Sequence, residues 1–256
     1  MDSGFYSSFS GFAARMDALD LLANNLANAS TTGFKSHHEF YRSLSAALSS
    51  QPSLVQPSSL SGAVNQSINQ FGVLGGSNLD LSQGTLENTS NDTDLALEGS
   101  GYFAVLTKNG VRYTRDGSFI LSKERNLITK NGDIVLSEQG SKNNKPIQIP
   151  SGKIAISPDG TLSVDGSLIA KLRIEDFPQG TQLTPEGNTY LSAPEGAAKP
   201  AAAAVRQGML ESSNSDPVRA SIALIELQRT AQMMERAISI FNNDFNRTAA
   251  QDLPRV

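Results

Sequence analysis

The stretch Leu21–Lys35, LLANNLANASTTGFK, decides how this chain is organised. It opens as an amphipathic helix, is interrupted by Asn24, Asn25 and Asn28, and stops at Thr32-Gly33. Asparagine is a weak helix-interior residue because its amide competes for the backbone, so three of them in one helix call for an explanation. Glycine just past the last apolar residue is a helix stop. Upstream of the stop, Phe5, Phe9, Phe12, Met16, Leu19, Ala23 and Leu26 alternate at intervals of four and three residues, the spacing of a heptad seam.

The same spacing returns near the other end, in Ala220, Leu224, Leu227, Ala231, Met234, Ile238, Phe241 and Phe245. Asp216-Pro217 supplies an N-cap and a first-turn proline for that helix. Helices of this length are marginal in water unless an apolar face is packed, so each is expected to pair with the other. The fold class expected is therefore α+β: long N- and C-terminal helices paired as a coiled coil, with an inserted antiparallel β domain.

Between the helices the texture changes twice. Ser43 to Leu79 carries no charged residue and is rich in Ser, Gln, Asn and Gly, the composition of an extended connector. After it come short apolar runs such as Tyr102–Leu106, Ser118–Leu121 and Lys153–Ile156, punctuated by Asn109-Gly110, Asp116-Gly117, Asn131-Gly132, Asp159-Gly160 and Asp165-Gly166. Asn-Gly and Asp-Gly suit the positive dihedrals of tight hairpins. The expected division is a helical domain of 1–35 with 212–248, a connector over 36–79, a β domain over 80–196, a return connector over 197–211 and a tail over 249–256.

The composition removes several functions. With 21 Lys plus Arg against 25 Asp plus Glu, the formal net charge is -4 and no basic block offers a nucleic-acid surface. There is no cysteine, so disulfides, zinc thiolates and cysteine nucleophiles are out. No run reaches the roughly 20 apolar residues of a membrane span, and no membrane insertion is expected. Asp2, and the lack of a basic residue before Arg15, do not fit a cleaved secretory leader. The adjacent His37 and His38 diverge on any regular element. Asn91-Asp92-Thr93-Asp94 lacks the glycine and distal Glu of a calcium loop. No cofactor, metal or catalytic residue is expected, and the chain is not read as an enzyme.

With the seams fixed, Asn24, Asn25 and Asn28 on one helix and Ile222, Ile225, Met233 and Ile240 on the other lie off them. A solitary two-helix coil should be polar at such positions, as the asparagines are if they form a solvated helix face, but Ile222, Ile225, Met233 and Ile240 are apolar there. Their cover comes either from the β domain folding back or from neighbouring subunits. The uncharged connectors favour neighbours, and a repeated heterologous contact builds a helical filament.

The residues also carry a resemblance. Leu22-Ala23-Asn24-Asn25-Leu26-Ala27-Asn28 with Thr31-Thr32-Gly33-Phe34-Lys35 resembles the N-terminal signature of the bacterial flagellar rod and hook family. Gly84-Thr85-Leu86-Glu87, Asp94 to Phe103, Tyr113 to Phe119, Gln207 to Asn214 and Gln228-Arg229 resemble its later blocks, in the family's order. The chain departs from that pattern at Ala231-Gln232 and at Ser215-Asp216. Its length resembles the FlgF and FlgG types of rod protein, FlgF more than FlgG.

The resemblance implies a structural subunit of the basal-body rod that crosses the periplasm and transmits torque. It implies partnership with itself and other rod subunits, and export by the flagellar type III apparatus without a cleaved signal. The terminal helices would form an inner tube, with Asn24, Asn25, Asn28, Gly33, Phe34, Ile222, Ile225, Arg229, Met233 and Ile240 as candidate intersubunit contacts. The competing readings are a β module binding cell-wall polysaccharide on a helical dimerisation stalk, and a hydrolase whose acidic pair the sequence does not single out.

Overall fold

The computed structural model describes residues 2–43, 72–138 and 146–252. Packing divides the chain into two compact units: Met1–Ala27 with His37–Asp80 and Asp216–Val256, and Asn28–Ser36 with Leu81–Ser215.

The first unit holds helix α1 (Asp2–Ala27), helix α2 (Pro217–Asp252) and an antiparallel ribbon of His37–Ser43 with Gly72–Leu79. The ribbon runs in register from His37 opposite Leu79 to Ser43 opposite Gly72, with an irregularity between Phe40 and Tyr41. It occupies the described ends of the expected connector; residues 44–71 lie outside the described residues. At the start of α2, Asp216 Oδ1 accepts hydrogen bonds from Val218 N at 2.9 Å and Arg219 N at 3.3 Å, which caps the first turn. The proline at the next position needs no donor there.

The expected fold class needs correcting. The described residues are mostly β, with two helices among them, and the helices do not form a coiled coil on the expected heptad seams. On α1 the buried stripe is Gly11, Ala14, Ala18 and Asn25, while Ala23 is exposed and Met16 is 43 % exposed. Phe12, Leu19 and Leu26 are only half-buried. Both stripes of α1 have the same period, so spacing cannot choose between them. Interlocking knobs require large side chains at the covered positions, and this stripe is small or polar. It packs instead against two different elements, α2 and the ribbon. On α2 the covered residues are Ala220, Leu227 and Ala231, with Leu224, Met234 and Ile238 half-buried. The side chains of Phe5, Phe9, Phe241 and Phe245 lie outside the described residues.

The second unit is antiparallel β throughout its described strands. Its largest sheet has nine strands, with Tyr102–Thr107 paired to Gly110–Thr114, Ile134–Val135 and Ile174–Asp176. Ile154–Ile156, Thr161–Val164 and Ser167–Lys171 form a separate three-stranded sheet. The last hairpin turns on Asp165-Gly166, with φ of 49° and 82°, the doubly positive pair that Asp-Gly supplies. Asp116-Gly117 makes no such turn; a Cβ on Gly117 would stand 1.7 Å from Leu95 O, so glycine is there for close approach.

The unit extends beyond 80–196 at both ends. Ala204–Gln207 pairs with Leu95–Glu98, and Met209–Glu211 pairs with Leu86–Asn88, so the Ala-rich return segment leads into strands. Residues from both sheets and from the Leu95–Glu98 and Ala204–Gln207 pair meet in one core that includes Leu95, Leu97, Phe103, Phe119, Leu162, Leu172 and Val205. Phe103 and Phe119 meet edge-to-face with ring centroids 5.2 Å apart.

Candidate functional site

Two features stand out, one buried and one exposed. The buried one is built where four separated sequence blocks converge in the second unit. Thr32-Gly33 leaves the turn after α1 with Gly33 at φ 67°, and a Cβ there would meet Asp116 N at 2.2 Å. Gly33 N donates to Glu211 O at 2.8 Å, and Thr32 Oγ1 donates to Asp116 Oδ1 at 2.8 Å. Phe34 and Lys35 follow, both buried.

Glu211 is the hub. Its Oε1 accepts from Lys35 Nζ at 2.6 Å and from Gly84 N at 2.9 Å, and its Oε2 accepts from Arg115 Nη1 at 3.0 Å. Its side chain is fully enclosed, and those of Lys35 and Arg115 nearly so. A carboxylate so placed is held only because charge and hydrogen bonds replace the water it has lost. The cations have further partners: Lys35 Nζ donates to Ser82 O at 2.6 Å, and Arg115 Nη2 donates to Gly99 O at 2.6 Å, while Arg115 Nε is buried with no acceptor among the described residues. Arg115 also lies over the Tyr102 ring, 5.2 Å from its centroid. Burial pushes the Tyr102 phenol up to about 12. A further clasp joins Ser36 N to Asn214 Oδ1 at 2.8 Å. The blocks before residue 36 and after residue 207 are thus bound into the β unit by charge as well as by strands.

This arrangement can do no acid–base chemistry on a substrate, since its ionic groups are sealed from solvent. Sequence reasoning missed Lys35, Arg115 and Glu211 as an interacting set, although each lies inside a quoted block. Lys35 beside Phe34 and Glu211 beside Leu210 are lone charges next to apolar residues, which was the available signal; Arg115, between Thr114 and Asp116, gave none.

The exposed feature is on α2. Ile222, Ile225, Met233 and Ile240 are 54, 49, 62 and 61 % exposed, and at 3.6 residues per turn they share an arc of about 80° with Val218, Arg229 and Arg236. The arc lies opposite the covered Ala220, Leu227 and Ala231. Of the other expected contact residues, Asn24 is exposed, whereas Asn25, Asn28, Gly33 and Phe34 are buried. Asn25 grips the ribbon: its Nδ2 donates to His37 O at 2.7 Å and its Oδ1 accepts from His37 N at 2.8 Å. That two-way amide contact accounts for one asparagine in LLANNLANASTTGFK. Burial lowers the pKa of the same His37. Among the described residues no group of His, Asp and Glu is arranged to hold a metal ion.

Comparison with known proteins fixes the family. Residues 5–35 match the family described as flagella basal body rod protein, and residues 96–164 match the flagellar hook protein FlgE/F/G D1 domain. The FlgF rod protein of Caulobacter vibrioides is 31 % identical over 262 aligned positions that cover all of both chains. The chain belongs to the flagellar basal-body rod protein family. The FlgG rod protein of Borreliella burgdorferi is 26 % identical over 95 % of this chain and 96 % of its own. The FlgE hook protein of Helicobacter mustelae is 36 % identical over 51 % of this chain but only 29 % of its own. Among these rod and hook relatives the FlgF type is slightly favoured. As a rod protein the chain is a structural subunit of the basal body, and both rod-family matches contain part of the buried junction: Lys35 ends one and Arg115 lies in the other.

Proposed function

We propose that this rod subunit polymerises through the outward face of α2, and that it does so as a non-catalytic element of the shaft that crosses the periplasm and carries torque. The observation that carries the reading is the exposed row Ile222, Ile225, Met233 and Ile240. A helix apolar on two opposite sides is built to be covered twice. Each side chain is about half exposed, so covering it gains roughly 1 kcal/mol, half the value of burying one completely. Repeated along a filament, that gain is made at every subunit. The same reading assigns export to the flagellar type III apparatus without a cleaved leader, and assembly with other axial subunits as well as with itself. The β unit is tied shut at Glu211.

The test is a chain carrying Ile222→Asp with Met233→Asp, expressed in place of the parent. Its circular dichroism should be unchanged, because neither residue faces the covered side of α2. Purified basal bodies should contain little of it and the cells should not swim. Basal bodies with the parental amount of the doubly substituted chain would contradict the proposal.

A further inference from the structure

The outward face of α2 is apolar but not neutral, and a second face of the same unit complements it. On α1 the residues turned away from the buried stripe are Ala13, Met16, Asp17, Asp20, Ala23 and Ala27, all exposed. They share with the exposed Asn24 an arc of about 120°, and among the side chains described on it the charges are the two aspartates. On the α2 arc the charges are Arg229 and Arg236, both exposed, with Glu226 at one margin and Glu235 well outside it. One face is therefore shallow, small and acidic, and the other is ridged by Ile222, Ile225 and Met233 and basic at its centre.

From this we infer that the partner of the α2 face is the outward α1 face of a second copy of this chain, with Asp17 and Asp20 opposite Arg229 and Arg236. The inference rests on the proposed assembly role and adds to it the identity of the mating surface. Two α2 faces brought together would set arginine against arginine, and two α1 faces aspartate against aspartate; only the mixed contact matches charge, and like charges at an interface are strongly disfavoured. The alanines leave shallow grooves into which the larger α2 side chains fit as ridges. Each copy offers one face of each kind on different helices. The contact is therefore heterologous and leaves a free face at each end, so it propagates instead of closing into a pair.

The experiment is a charge exchange read in purified basal bodies, with incorporation normalised to the amount of chain exported and each variant's fold checked by circular dichroism. Arg229→Glu with Arg236→Glu should lower incorporation about tenfold, as should Asp17→Arg with Asp20→Arg, and all four together should restore it to within about threefold of the parent. Loss in both single-sided variants without recovery in the combined one overturns the pairing, and so does full incorporation of either single-sided variant. If those variants assemble normally while Ile222→Asp with Met233→Asp does not, the α2 face is still an assembly surface and only its assigned partner is wrong. The cysteine-free background allows a second reading: disulfide-linked dimers from Arg229→Cys alone would mean that α2 meets α2, and would also overturn the pairing.

Discussion

Replacing Glu211 by glutamine changes almost nothing in shape and removes one charge. It leaves Lys35 and Arg115 enclosed with no carboxylate, although Glu211 now binds both within 3.0 Å. Breaking a buried ion pair by removing one partner costs about 3–5 kcal/mol, because the remaining charge is left uncompensated. Glutamine keeps an acceptor for one donor but sets an amide NH2 against the other, so the lower part of that range is a floor. Against a total stability of roughly 5–15 kcal/mol, that is a large share. For a unit of this size it corresponds to a fall in Tm of roughly 6–20 °C. Urea unfolding followed by near-ultraviolet circular dichroism reports on the β unit, where Tyr102 and Tyr113 lie. The control is Arg206→Ala, which breaks the pair with Glu98 whose side chains are 50 and 53 % exposed. That loss should be under about 1 kcal/mol. If Glu211→Gln is as mild as Arg206→Ala, the junction does not hold the chain ends in the way described.

Three further outcomes follow from the same geometry. Gly33→Ala places a Cβ 2.2 Å from Asp116 N at a positive φ, and should destabilise the β unit by more than the roughly 1–3 kcal/mol of the dihedral alone, measured by the urea midpoint. Asn25→Leu removes both hydrogen bonds to His37 and should cost about 1–3 kcal/mol at roughly 0.5–1.5 kcal/mol each, seen as faster amide exchange along the ribbon. Tyr102 and Tyr113 are each held by burial at about 12 against 10 in the unfolded chain, so their contribution is complete below pH 10 and is lost as pH rises from 10 to 12. Tyrosinate absorbance should therefore rise together with unfolding, and Tyr102→Phe with Tyr113→Phe should flatten that dependence.

Much of the organisation was legible from local chemistry. Asp216-Pro217 marks the start of α2 because a capping carboxylate and a fixed φ act within one turn. Asp165-Gly166 marks its hairpin for a similarly local reason. What the sequence hid depends on distant partners. The heptad on α1 was read from large residues, but the covered face uses Gly11, Ala14 and Ala18, whose small size matters only once another element comes close. Asn25 and Gly33 looked like surface for other subunits, but each has a partner later in the same chain, at His37 and Glu211, and Phe34 is buried. The Ala-rich stretch before Val205 looked like a linker because its strand partner, Leu95–Glu98, is about a hundred residues away. On α2 the spacing set Ile222, Ile225, Met233 and Ile240 off the seam, but it left open whether the β domain covers them, and only the structure shows them exposed.

The most direct test is an image of the assembled rod in which side chains are resolved. The account predicts that Ile222, Ile225, Met233 and Ile240 of one subunit are covered by an adjoining subunit, with Arg229 and Arg236 beside aspartates of α1. A rod in which that face of α2 lines solvent, while some other surface makes the subunit contacts, would contradict it.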